Sequence, residues 1–213
     1  KVQNVNPPNL RDIKSVLVNT SLIKLDISIF SSHLILMANF VAIPITLRDS
    51  MQLATISHWQ VYLTAIFISL FIMVPFIMFG ERLKKENLFL ILSILLIMLS
   101  QIGLALFGLS LNFIIIFLIL FFGAFNYLEA LLPSKVSKTT QKNTKGTALG
   151  VYSTSQFIGI FIGGLAGGFF YQQFSLTSVH LFCLFITFLW LLLILFFSKN
   201  ENLGKNELEE EAV

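Results

Sequence analysis

A single carboxylate, Glu129, stands in an otherwise apolar run, Asn126-Tyr127-Leu128-Glu129-Ala130-Leu131-Leu132-Pro133. Asn126 lies three residues earlier, on the same face of a helix. An ionised acid in such a run is costly unless it is paired, wetted or protonated. The chemistry open to Glu129 is therefore proton binding, or recognition of a polar group on a substrate. The plainer alternative is an acid one turn from the end of its run that reaches out to nearby lysines. His33 sits in another apolar run, with Asp26 seven residues before it on the same helical face. Imidazole titrates near neutral pH, which suits a proton-linked switch; the alternative is a histidine that only bonds a neighbouring helix. Asp26 is close to a basic segment and reads as structural, paired with Lys24 or a nearby lysine. Asn39 either lines a cavity or bonds another helix.

A second group follows the acid. Tyr152, Ser155, Gln156 and Gly159 share one helical face and read as cavity-lining. The same stretch carries glycines at spacings of four: Gly146 and Gly150, Gly159 and Gly163, Gly163 and Gly167, Gly164 and Gly168. Such small-residue pairs let helix backbones approach closely, so packing is their first expected role and sliding against a partner the second. Ser153 and Ser155 lack the surroundings of a serine nucleophile, since no Gly-x-Ser-x-Gly occurs. Cys183 is the only cysteine, which excludes a disulfide and a cysteine-cluster metal site. No cofactor or metal motif is present, and no enzyme activity is expected.

These residues need elements to hold them. The chain is 56% hydrophobic and only 12% charged, with 23 phenylalanines and a mean hydropathy of +0.85. A soluble domain of 213 residues has too little interior for so much apolar surface. The charges fall in short clusters between long apolar runs, as an all-α membrane protein requires. Segments of alternating polarity, the mark of a membrane β-barrel, are missing. Six spans are predicted, at about 23–47, 60–79, 88–107, 113–132, 146–171 and 177–198. Each runs to about 20 to 25 residues, enough to cross roughly 30 Å of hydrocarbon. Residues 1–20 read as a linker ending in an amphipathic segment over 13–25. Residues 21–198 form the bundle, and 199–213 an acidic tail.

Six spans place both ends on one side. Of the 14 Lys and Arg, 13 fall on that side and Arg48 alone on the other. The positive-inside rule makes that side cytoplasmic, so both termini are expected there and no nucleic-acid role is implied by the +3 net charge. The loop 133–145 carries four of the lysines. The turn with Glu81, Arg82, Lys84 and Lys85 reads as an ordinary basic loop or a gate latch. Spans one and four hold the buried polar groups and are expected inside. Spans three and six are nearly featureless and are expected outside. The two triplets form a three-plus-three pattern found in secondary transporters.

The runs from Asn126 to Ser134 and from Lys145 to Phe157 resemble the carboxyl-terminal half of bacterial major facilitator superfamily transporters, on their proton-coupled, drug-efflux-like branch. The resemblance implies helices seven to twelve of a twelve-helix fold, one half of a rocker switch around a central cavity. It implies an inner-membrane location, with the lipid bilayer, a missing amino-terminal six-helix half, a small-molecule substrate and protons as partners. Residues 77–85 are similar to a degenerate copy of the superfamily's Gly-x-x-x-Asp-Arg-x-Gly-Arg-Arg loop, with Ile77 for the first Gly, Glu81 for Asp and Lys84 for the second Gly. The expected function is thus proton-coupled transport with Glu129 and His33 as coupling groups. The alternative is a truncated or split module that does not transport without a second half.

Overall fold

The computed structural model describes residues 10–210, and every regular element among them is helical. A short helix α1 (Leu10–Val18) leads into α2 (Thr20–Ile45). Asn19 separates them, because its Oδ1 accepts from the backbone N–H groups of Ser21 (3.0 Å) and Leu22 (3.2 Å) and so caps α2. The amphipathic segment expected over 13–25 is therefore two helices rather than one. The first nine residues of the expected linker and the last three of the acidic tail lie outside the described residues.

After Pro44, α2 widens into a π turn, Thr46–Ser50. A proline without an N–H loosens the ladder here, and the wider turn follows it. Then come α3 (His58–Arg82), α4 (Glu86–Phe107), α5 (Leu111–Thr139), α6 (Lys145–Gln173) and α7 (Leu176–Glu210). Six of these are long and apolar enough to cross a membrane.

One boundary differs from the sequence reading in a way that matters. The loop expected over 133–145 shrinks to five residues, because α5 continues through Pro133 to Thr139. Proline is tolerated inside membrane helices, where it removes a single ladder bond. Lys135 and Lys138 are consequently helical.

The most buried helices are α2 and α5, which hold the polar groups. Of the two helices expected outside, α7 is among the more open and α4, packed against α5 and α7, is less buried than α2 and α5, while α3 and α6 are also open. Uniform apolarity cannot tell a lipid-facing helix from one that faces protein, since lipid tails are as apolar as leucine. Buried polar bonds fix the packing. Trp190 Nε1 on α7 donates to Ser28 Oγ on α2 (3.1 Å), and Ser100 Oγ on α4 donates to the Phe117 carbonyl on α5 (2.9 Å).

The closest contact is between α2 and α6. A β-carbon at Gly159 would collide with the Phe30 carbonyl, and one at Gly163 with the Leu34 carbonyl. At Gly167 it would lie 3.0 Å from Ala38 Cα. The contacts advance by four residues on each helix in the same direction, so α2 and α6 run parallel. Gly146, Gly150, Gly164 and Gly168 do not share this role, for nothing would meet a β-carbon there within 4 Å. One residue is about 100° of helix, so Gly164 and Gly168 point away from the seam their neighbours make.

Candidate functional site: a histidine between a glutamate and a glutamine

The glycine seam sets the register of α6 on α2, and that register brings Gln156 to His33. Gln156 Nε2 donates to His33 Nε2 at 2.8 Å. The other ring nitrogen, Nδ1, lies 3.2 Å from the Ile29 carbonyl one turn back. A carbonyl only accepts and an amide N–H only donates, so the ring carries its proton on Nδ1 and leaves Nε2 as acceptor.

Glu129 reaches the same nitrogen from α5, with Oε1 at 3.8 Å from His33 Nε2. This is too long for a hydrogen bond but within ion-pair reach once the ring is charged. Glu129 Oε1 is shut off from solvent and has no hydrogen-bond partner, whereas the side chain as a whole is 37% exposed. One oxygen thus faces the histidine and the rest of the group faces open space. His33 itself is only 5% exposed, and the Phe125 ring packs against it at 5.2 Å between centroids. Pro133 has no N–H to return to the Glu129 carbonyl one turn earlier, which leaves a second acceptor beside the acid.

Three helices thus converge on one imidazole: α2 supplies it, α5 the acid and α6 the amide. The lysines that a surface-reaching Glu129 would seek are engaged elsewhere. Lys135 and Lys138 lie 3.5 and 3.3 Å from the carboxylate of Glu86 at the start of α4, and Lys135 Nζ donates to Asn87 Oδ1 at 2.6 Å.

The other candidates are placed differently. Asn126 does not join Glu129; its Nδ2 donates to Ser69 Oγ on α3 at 3.1 Å. Asn39 is buried, away from the cluster, and neither of its side-chain polar atoms has a hydrogen-bond partner. Tyr152 is buried and Ser155 half-buried beside Gln156, with no hydrogen bond from either to His33 or Glu129. Gly159, on the same face, is pressed against α2, so this face is a helix contact at that level. Glu81 and Arg82 end α3, and Lys84 follows with φ of 53°. Sequence reasoning passed over Ser69 and Glu86. A lone serine in an apolar helix gives little warning of a partner 57 residues away, and Glu86 looked like one more loop charge. Among the described residues, no group of three or more His, Cys, Asp or Glu side chains gathers in a way that could hold a metal ion.

Residues 25–212 match the family model described as Major Facilitator Superfamily. The chain is 39% identical over 178 residues to an Escherichia coli (strain K12) protein named "Inner membrane transport protein YajR", a match covering 83% of this chain and 38% of that protein. It is 32% identical over 176 residues to an "Uncharacterized transporter" of Buchnera aphidicola subsp. Baizongia pistaciae, covering 82% of this chain and 45% of the relative. A transporter from Buchnera aphidicola subsp. Acyrthosiphon pisum is 35% identical over 162 residues, covering 76% of this chain and 41% of the relative. The chain spans about two fifths of the length of these relatives.

Proposed function

The chain belongs to the Major Facilitator Superfamily, and from that premise we propose that it is one six-helix half of a proton-coupled secondary transporter in which Glu129 and His33 hold the coupling proton. The observation that carries this reading is the 3.8 Å approach of Glu129 Oε1 to His33 Nε2 across two helices. An ionised Glu129 has a closed-off oxygen with no donor, a costly state in a membrane interior. One proton answers it. Placed on the carboxyl, it gives an O–H that can donate to Nε2 once Gln156 releases that nitrogen's single lone pair. Placed on Nε2, it makes an imidazolium beside a carboxylate. In the second state Gln156 must turn its amide to offer Oε1, since Nε2 no longer accepts.

Each state favours a different spacing of α5 from the α2–α6 pair. The glycine seam holds α2 and α6 in close contact, so the change in spacing falls where α5 meets that pair. A proton that binds one arrangement better than the other shifts their populations by that difference in affinity. The same acid's open side faces the space where a substrate would sit, which links the two events. A cavity completed by a second half and edged by Glu129 and phenylalanines would suit small amphipathic or cationic molecules, and export is the direction in keeping with the family branch. Both termini and the lysine-rich end belong on the cytoplasmic side of a bacterial inner membrane by the charge rule. The chain works beside a second six-helix half that supplies the opposite wall; by itself it is a module, not a complete pathway.

The test uses the full-length protein in proteoliposomes and a panel of amphipathic cations. Wild type accumulates at least one of them in response to an imposed pH gradient. Glu129→Gln keeps binding it but loses gradient-driven accumulation. Gradient-driven accumulation that survives in Glu129→Gln overturns the coupling role.

A further inference from the structure

We infer that the lysine-rich end carries a binding site for the phosphate headgroup of an anionic phospholipid, in the groove between the end of α3, the start of α4 and the end of α5. The groove measures about 480 Å³, and its charged walls are Glu81, Lys84, Lys85, Glu86, Lys135 and Lys138. Four ammonium groups face two carboxylates, an excess of two positive charges. The charges are unevenly committed. Lys135 and Lys138 both turn to Glu86. The ammonium groups of Lys84 and Lys85 form no hydrogen bond or ion pair among the described residues. A groove that holds an uncompensated cation pair calls for an anion.

The shape says which anion. A second, smaller cavity of about 80 Å³ shares the walls Glu81, Glu86 and Lys138. The rest of its lining is mostly apolar: Ile77, Tyr127, Ala130 and Leu131, with Ser134. A free phosphate has no use for an apolar slot beside its charged seat. A phospholipid has, because its glycerol-ester end is apolar where its headgroup is charged. The position agrees, since α3, α4 and α5 are each long and apolar enough to cross a membrane and the groove lies at their charged ends. Basic pockets at helix ends are recurrent seats for anionic headgroups.

Lys84 adds a detail of backbone. Its φ of 53° lies in the left-handed region, where glycine is unstrained and other residues are not. The chain keeps a lysine where glycine would relieve the turn.

Lipid retention by the full-length protein tests the site. The protein is equilibrated in nanodiscs of equimolar phosphatidylglycerol and phosphatidylcholine, extracted mildly and weighed by native mass spectrometry. Wild type retains phosphatidylglycerol in preference. Lys84→Gly together with Lys85→Gln lowers that retention by about 25-fold, at about fivefold per lysine. Lys84→Gly alone lowers it by about fivefold while the melting temperature holds or rises, because glycine relieves the turn. That variant separates a lost site from a misfolded protein. Lys84→Arg with Lys85→Arg keeps the preference. Equal retention by wild type and the double variant overturns the proposal. So does displacement of the lipid by millimolar inorganic phosphate or glycerol phosphate, which would make this a small-anion site. None of these residues touches Glu129 or His33, so the outcome is separable from the coupling assay.

Discussion

His33 Nε2 receives a hydrogen bond from Gln156 on α6 and faces Glu129 on α5 at 3.8 Å, so one ring nitrogen is contested by side chains from two helices. The Ile29 carbonyl at Nδ1 and the Gln156 amide at Nε2 together set which tautomer the ring adopts. Replacing Gln156 with leucine leaves Nε2 buried without a partner and removes one of these two contacts. Stability falls by roughly 1–3 kcal/mol, the usual cost of an unsatisfied buried acceptor. Nitrogen NMR of the labelled imidazole then shows the Nε2–H tautomer rising above its wild-type share, with Nδ1–H still held by the Ile29 carbonyl. A single unchanged tautomer in Gln156→Leu contradicts the assignment of Gln156.

The seven glycines of α6 divide into two sets by what they touch. Gly159→Ala and Gly163→Ala drive a methyl into the carbonyls of Phe30 and Leu34 and force α6 off α2. Each costs about 1–3 kcal/mol, seen as a lower melting temperature in lipid. Gly164→Ala and Gly168→Ala meet open space and gain up to about 1 kcal/mol of helix propensity. Equal losses in the two sets would mean that the seam is misplaced.

Tyr127 is 2% exposed, and its hydroxyl has no hydrogen-bond partner. Its ring packs edge-on against Phe76 at 5.5 Å. Tyr127→Phe keeps the ring and removes the stranded polar group. Stability is expected to hold or to rise by about 1 kcal/mol. A clear drop in melting temperature would show that the hydroxyl is satisfied.

Much of this was legible in the residues. Six apolar runs bounded by charge give six helices, and the physical reason is general: backbone groups in lipid must bond within their own segment. Glu129, His33 and Gln156 stood out because polar groups in apolar runs are costly and need a reason. Their meeting was not legible. It depends on the register of α2 against α6, and that register depends on which glycines face inward. Spacing alone admits both Gly163 and Gly164; only the three-dimensional seam chooses Gly163. The partner of Asn126 was not legible either. Sharing a helical face with Glu129 places two side chains near each other, but a serine on α3 offered the amide a better partner. Pro133 misled as a stop signal, since a proline ends a helix in water more readily than in a packed membrane bundle.

The central claim is that the Glu129–His33 pair binds a proton as a unit. Infrared difference spectroscopy of the full-length protein in lipid, stepped from alkaline to acid, reads it most directly. A protonated-carboxyl C=O band is expected in wild type, absent from Glu129→Gln and displaced in His33→Gln, where the hydrogen-bond partner has changed. The same band persisting unaltered in Glu129→Gln would contradict it.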